Sequence, residues 1–320
     1  MIEITTPSRI HMTLIDMNGE IGRVDGGAGL TLSSPNIKIT AEEAEGEGVI
    51  IEGLQDFADR MKRAAESLLP EGKGIRINVK EVYPAHVGFG SGTQSSLAAA
   101  AAVNELYGLN KSVRELAIAV KRGGTSGIGV TAFERGGFIV DGGHRFKDKG
   151  GFMPSAASPA PPGPVLFRED FPEWDMVVAI PKDKGMHDQA EIDTFKKFCP
   201  IPIEEVREIA HVVLMQMMPA VIEKDIVSFG AAVNHVQTVG FNKRESLIWP
   251  DFVKNIASFM RSRSYGAGVS SFGPVVYSFV DNKSEARQLQ AEVQEMLNES
   301  VGGSVILTKA KNTGAEISKV

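Results

Sequence analysis

The densest chemistry in the chain lies in His86-Val-Gly-Phe-Gly-Ser-Gly-Thr-Gln-Ser-Ser96. Glycines at 88, 90 and 92 let a backbone come close to a ligand, and N–H groups at the start of a following helix, with the helix dipole behind them, attract phosphate. Ser91, Thr93, Gln94, Ser95 and Ser96 add polar side chains to the same stretch. A structural turn would need the same glycines, so the loop takes its meaning from its setting between a strand and a helix. It is not a Walker loop, because the Gly-Lys-Ser/Thr ending is missing. Nor is it a dinucleotide fingerprint, because the G-x-G-x-x-G spacing is not met.

Arginines 9, 23 and 145 are candidates to clamp an anion, since a guanidinium offers a planar bidentate fork. Among six histidines, His11, His86 and His144 sit in motif-rich segments and are candidates to move a proton near neutral pH. His211 and His235 fall within amphipathic helices and read as packing or surface groups. Glu134 and Asp141 are the carboxylates best placed to hold Mg²⁺ or a sugar hydroxyl, with Asp16 third. Asp25-Gly26-Gly27 and Asp141-Gly142-Gly143 read equally well as turns. His187, Asp188 and Glu191 could meet a metal ion on one helical turn or simply open a solvated helix. Met215, Met217 and Met218 read as packing.

These groups need elements to hold them. Ile75, Ile77 and Val79 alternate with polar residues, which predicts a half-buried strand before the loop, and Gln94 to Tyr107, rich in Ala and Leu, predicts a buried helix after it. Phe57, Met61, Ala64, Ala65 and Leu68 recur at helical spacing up to Pro70. Met153 to Pro164 has little helix or sheet potential and predicts a linker. Beyond it, Met176 to Ile180, Val275 to Val280 and Ser304 to Thr308 predict strands. Ile203 to Met217, Ile226 to Val236 and Glu285 to Leu297 predict helices.

The chain has 320 residues, of which 42% are hydrophobic, enough for two domains with a large core. A net charge of -6 argues against a nucleic-acid surface, so an anionic ligand must be held by local groups. A single cysteine, Cys199, allows neither an intrachain disulfide nor a cysteine-rich zinc site. The start lacks a signal-peptide pattern and no apolar run is long enough to span a membrane, so the expectation is a soluble cytoplasmic protein. A homodimer is compatible with this reading, without a motif that fixes it.

In this setting Pro84 to Ser96 resembles the phosphate-binding motif of the GHMP kinases, near Pro-x3-Gly-Leu-Gly-Ser-Ser-Ala. Pro7-Ser-Arg-Ile-His11 and Gly266-Ala-Gly-Val-Ser-Ser-Phe-Gly273 stand in the family's order, so the resemblance spans most of the chain. It implies an α+β fold: a ribosomal-protein-S5-like α/β domain over residues 1–160, a ferredoxin-like domain over 161–320, and a site in the cleft between them. It adds Ser8, Ser126, Gly268, Ser270 and Ser271 to the substrate-binding candidates and makes Arg9 the foremost of the arginines.

The departures from the family carry more information. Kinases of this family have a Ser-Gly-x-Asp segment whose acidic residue takes the proton of the accepting hydroxyl, but here Ser126-Gly127-Ile128 is followed by Gly129. Phosphoryl transfer would need a relocated carboxylate. Five segments are similar to one branch of the family, the β-ribofuranosylaminobenzene 5′-phosphate synthases of tetrahydromethanopterin biosynthesis. They are Arg9 to Asp16, Gly88 to Gln94, Thr125 to Gly129, Phe133 to His144 and Ser270 to Pro274. That branch implies condensation of 4-aminobenzoate or 4-hydroxybenzoate with phosphoribosyl pyrophosphate, releasing carbon dioxide and pyrophosphate, with Mg²⁺ neutralising the leaving group. His11 and His144 are then the expected proton acceptors. The rival readings are an ATP-dependent small-molecule kinase, opposed by Gly129, and a non-catalytic phosphometabolite-binding module, opposed by the polar side chains crowded around the glycines.

Overall fold

A computed structural model describes residues 1–154, 157–158, 160–183, 185 and 189–320. His187 and Asp188 lie outside the described residues. Among the described residues twelve strands run in chain order: β1 (Ile2–Asp16), β2 (Arg23–Glu43), β3 (Gly48–Gly53), β4 (Gly74–Glu81), β5 (Phe138–Asp141), β6 (His144–Arg145), β7 (Val165–Glu169), β8 (Asp175–Pro181), β9 (Gly266–Val269), β10 (Val276–Val280), β11 (Gly303–Thr308) and β12 (Glu316–Lys319). The helices are α1 (Ala58–Glu66), α2 (Ser91–Leu106), α3 (Val113–Ala119), α4 (Ile128–Glu134), α5 (Phe146–Lys149), α6 (Gln189–Phe198), α7 (Ile203–Val212), α8 (Met218–Glu223), α9 (Ile226–Val236), α10 (Gly240–Ser246), α11 (Asp251–Ser262) and α12 (Lys283–Asn298). A π-helical turn, Val213–Met217, joins α7 to α8, so the predicted helix from Ile203 to Met217 runs through a local distortion.

Two sheets organise these elements. The first has the order β12-β1-β2-β4-β3, with β5 and β6 on β2 and β7 on β5. The second has the order β11-β8-β10-β9, all antiparallel. Numbered along the chain, its strands lie 4-1-3-2, and helices separate β8 from β9 and β10 from β11, which is the ferredoxin-like arrangement. Sheet membership does not change at residue 160. Val165–Glu169 pairs with β5 and Glu316–Lys319 pairs with β1, so the end of the chain returns to the first sheet. One hydrophobic core runs through both halves, from Ile4, Leu30 and Ala99 to Val178, Phe229 and Phe279.

Two features aim the site. Strand β1 carries register shifts between Thr6 and Ser8 and between His11 and Thr13. A bulge bends a strand and re-aims its side chains, and between these two shifts the alternation of the strand puts Arg9 and His11 on one face. Helix α2 is buried along most of its length because its Ala98 to Ala102 run lets it lie close to the sheet. Close packing on the sheet fixes the direction of its N-terminus.

Candidate active site

A cleft of about 200 Å³ lies at the N-terminus of α2. Gly90, at φ +76°, caps that helix, and its carbonyl accepts from Thr93 N and Gln94 N at 3.0 and 3.1 Å. Residues 91 and 92 lie in the first turn, where backbone N–H groups have no intrahelical acceptor, and no acidic residue in that turn offsets the dipole. The arginines are arranged around it. Arg9 packs on Gly90 so closely that a Cβ there would lie 2.9 Å from its Nε, and its Nη1 donates to the Gly88 carbonyl at 2.5 Å. Arg60 and Arg122 converge on Gly92, where an added Cβ would collide with Arg60 and touch Arg122 Nη2 at 3.5 Å. Burial lowers Arg9 and Arg122 to about 10, and the neighbouring Arg60 and Arg63 help to lower Arg122. Both Arg9 and Arg122 remain charged near neutral pH. A crowd of partly desolvated like charges at a helix N-terminus is relieved by an anion.

The late serine-rich loop braces this end. His11 N donates to Ser270 Oγ at 3.0 Å, and Ser270 Oγ donates to the Gly88 carbonyl at 2.7 Å, so β1 and the glycine loop share one hydroxyl. Ser271, in the left-handed region at φ 55°, lines the cleft. Gly129 lines it too, and a side chain there would start 3.3 to 3.5 Å from Thr93. A carboxylate at 129 would therefore stand in the cleft wall.

A second part of the lining is made of other material. Leu14, Phe195 and Phe272 supply an apolar face, with the rings of Phe195 and Phe272 5.6 Å apart and Phe241 4.8 Å behind Phe195. Asn242, Glu191 and Glu245 complete it. Asn242 donates from Nδ2 to the Met12 carbonyl at 2.7 Å, which ties α10 to β1. Burial, reinforced by Glu191, raises Glu245 to about 8.

The structure sorts the residues expected from sequence into three groups. Arg9, His11, His86, Gly88, Gly90, Ser91, Gly92, Thr93, Ser126 and Ser271 line the cleft. A layer behind it holds Ser8, Gln94, Ser95, Gly268 and Ser270, all buried. Gln94 Nε2 donates to the Gly129 carbonyl at 2.8 Å and Ser95 Oγ to the Ser91 carbonyl at 2.7 Å. Five further candidates, described next, do not line the cleft. Arg23 donates its guanidinium to the carbonyls of Gly142 and Gly143, Arg145 is exposed on β6, and Glu134 is exposed near the end of α4. His144 is held between Asp25, 2.7 Å from Nδ1, and the Pro161 carbonyl, 2.9 Å from Nε2. Lys149 joins the same cluster, 2.7 and 2.8 Å from the two Asp25 oxygens and 3.1 Å from Thr125 Oγ1. Asp141 is fully buried and accepts from Ser126 Oγ at 3.3 Å, Gly127 N at 3.1 Å and Gly143 N at 2.9 Å. It shapes the segment that carries Ser126 and Gly129.

Glu134, exposed, and Asp141, buried with its oxygens already bonded, do not fit as a pair of metal ligands. Among the described residues no three His, Cys, Asp or Glu side chains come together to hold a metal. His11 is also changed by its surroundings. Burial, and then the charge of Arg9, lower it to about 3, and its Nε2 has no hydrogen-bond partner among the described residues. It is a neutral imidazole in the cleft wall. Sequence reasoning missed Arg60, Arg122, Phe195, Asn242, Glu245 and Phe272. Arg122 had a signal, standing four residues before Ser126 in the same glycine-rich stretch.

Residues 54–137 match the family description "GHMP kinases N terminal domain" and residues 217–299 match "GHMP kinases C terminal". The chain is 46% identical over 319 residues to a protein of Archaeoglobus fulgidus named β-ribofuranosylphenol 5′-phosphate synthase, covering 99% of both chains. A protein of the same name from Methanocaldococcus jannaschii is 43% identical over 332 residues, covering 98% of this chain and 99% of that one. The Methanococcus jannaschii mevalonate kinase structure superposes with a TM-score of 0.68 at 16% identity, covering 98% of each chain, a likeness of fold alone. No helix among the described residues is long and apolar enough to cross a membrane.

Proposed function

The chain belongs to the β-ribofuranosylphenol 5′-phosphate synthases, a branch of the GHMP-kinase fold, and from that premise we propose that it joins phosphoribosyl pyrophosphate to 4-hydroxybenzoate. It is an enzyme of the pentosyltransferase type. Carbon dioxide and pyrophosphate leave as the C–C bond replaces both the carboxylate and the anomeric C–O bond. The hydroxyl rather than amino acceptor is favoured by the relatives' names, which speak of a phenol. One observation carries the reading. The cleft has an arginine-lined helix end suited to a row of phosphates and an aromatic wall suited to a ring, with glycine at 129 where a kinase keeps its acid.

Little covalent help from the protein is needed. The first-turn N–H groups of α2 with Arg9, Arg60 and Arg122 hold the pyrophosphate and stabilise the negative charge that grows on it as the anomeric bond breaks. Phe195 and Phe272 hold the ring against the anomeric carbon and exclude water. The ring carbon that bears the carboxylate attacks first, and loss of carbon dioxide then restores aromaticity. His144, fixed in its buried cluster, takes no part in proton transfer. Magnesium belongs to this proposal only as a companion of the pyrophosphate, since Mg²⁺ is commonly held by substrate phosphates. No step here runs through it.

The test uses carboxyl-labelled 4-hydroxybenzoate with and without phosphoribosyl pyrophosphate. Labelled carbon dioxide should appear only with the donor and should equal the pyrophosphate released. Phosphate transfer from ATP to an alcohol, with no reaction of phosphoribosyl pyrophosphate, would overturn the proposal in favour of a kinase. Donor-independent carbon dioxide would overturn the order of steps.

A further inference from the structure

We propose that the Glu245 carboxylate takes the proton of the acceptor's ring hydroxyl as the ring attacks the sugar, in a subsite walled by Leu14, Phe195 and Phe272. This deepens the ribosyl-transfer reading above and rests on it. The placement comes from three observations. Glu245 is 5% exposed yet lines the cleft, on the wall that also carries the aromatic rings. Among the described residues no hydrogen bond or ion pair engages its carboxylate, whereas the buried Asp25 and Asp141 are fully engaged. Its helix is pinned to β1 through Asn242, so the group is held at a fixed place in the wall.

The surroundings set its chemistry. Of the ionisable groups on the elements packed against α10, Arg9 and His11 from β1 and Glu191 from α6 line the cleft with Glu245, Cys199 just beyond α6 feels the Glu245 charge, and Glu205 stands on α7. Glu205 is taken by Arg244 and by Gly240 N. Cys199 is raised to about 12 by burial and stays a thiol, and His11, lowered to about 3, stays neutral. Burial and the Glu191 charge thus raise Glu245 to about 8 with no paired cation to pull it back. A carboxylate at the usual value is too weak a base for a phenol, while one near 8 is close to the match that general-base catalysis requires.

The step balances without another reactant. The ring O–H proton passes to Glu245, the oxygen electron pair enters the ring, and the carboxylate-bearing carbon bonds to the anomeric carbon as the C–O bond to pyrophosphate breaks. The C–C bond to the carboxylate then breaks, its electron pair restores the aromatic ring and returns charge to the oxygen, and Glu245 gives the proton back. Carbon dioxide leaves, and the protein is unchanged.

The experiment compares wild type, Glu245→Gln and Glu245→Asp with 4-hydroxybenzoate and with 3,5-difluoro-4-hydroxybenzoate, whose hydroxyl is far more acidic. Glu245→Gln keeps the shape, and should lower kcat for the plain acceptor by about 100-fold or more while leaving KM for phosphoribosyl pyrophosphate within about twofold. With the difluoro acceptor, already ionised, the deficit should shrink below about tenfold. Glu245→Asp, which retains the carboxylate, should recover part of the rate. Wild-type kcat should rise as pH passes about 8 and the group ionises, and in the Gln variant that limb should move up to the ionisation of the acceptor's own hydroxyl. An equal deficit with both acceptors, or a limb that does not move in the Gln variant, overturns the assignment to Glu245 alone. Wild type that releases no pyrophosphate with either acceptor sinks the ribosyl-transfer reading, and this assignment falls with it.

Discussion

The two walls of the cleft differ in what fixes them. The arginine wall is a backbone structure: left-handed glycines, a helix N-terminus, and side chains that pack where a Cβ would otherwise be. The aromatic wall is a side-chain structure, brought in by α6, α10 and the loop after β9, and no residue in it needs a special φ except Ser271 beside Phe272. A backbone-built site tolerates few sequences and so leaves a motif. A side-chain-built site tolerates many, and its residues disappear into the amphipathic pattern of their helices.

The largest effect should come from breaking the backbone wall. Gly90→Val forces a β-branched residue to φ +76° and into the Arg9 guanidinium 2.9 Å away. The left-handed backbone alone costs about 1–2 kcal/mol, within the 5–15 kcal/mol that a folded chain of this kind holds in reserve. The variant should keep its circular dichroism and cooperative melt while its affinity for phosphoribosyl pyrophosphate falls by about 100-fold, as measured by calorimetry. Unchanged donor affinity in the folded variant would reduce the loop to a turn.

A smaller effect should follow on the aromatic wall. Phe272→Leu keeps bulk but loses a ring contact worth about 0.5–1.5 kcal/mol, so KM for the acceptor should rise by roughly two- to tenfold while KM for the donor stays put. Steady-state kinetics with each substrate varied in turn separates the two. A parallel rise in both constants would mean that the walls are not divided between donor and acceptor.

The same difference explains what was legible in advance. The strand, glycine loop and buried helix could be read directly, because Ile75, Ile77 and Val79 alternate and Ala98 to Ala102 admit close packing. Strands β8, β10 and β11 of the second sheet and α12 were equally plain, whereas β9 was not, since Gly266–Val269 read as a glycine motif rather than a strand. Strands β7 and β12 were not, since their pairing with β5 and β1 depends on contacts far along the chain. Among the candidate site residues, those of the glycine loop from Gly88 to Thr93 came to the cleft together with Arg9 and His11 of β1. Arg23 and His144 did not, because Asp25 and the Gly142 and Gly143 carbonyls offered them partners that a linear reading cannot see. Glu245 was invisible for the opposite reason: its importance comes from having no partner, which only burial reveals.

His11 stands on β1 between the walls, and its replacement should have the smallest effect near neutral pH. The folded protein holds this group at about 3, against an ordinary value of 6.5, because burial and then Arg9 oppose the charged form. The unfolded chain therefore binds a proton below about 6.5 that the folded chain refuses until about pH 3. Stability from this source is intact above pH 6.5 and is lost as pH falls through that window. At pH 5 the loss amounts to about 2 kcal/mol, one and a half units at 1.36 kcal/mol each. His11→Gln removes the titration. Between pH 7.5 and pH 5, urea denaturation should show wild type losing stability to the variant by about that amount, whatever offset the substitution brings at pH 7.5. A constant offset across the range would mean that His11 protonates readily in the folded cleft, and it would then regain its place as a proton acceptor beside Glu245.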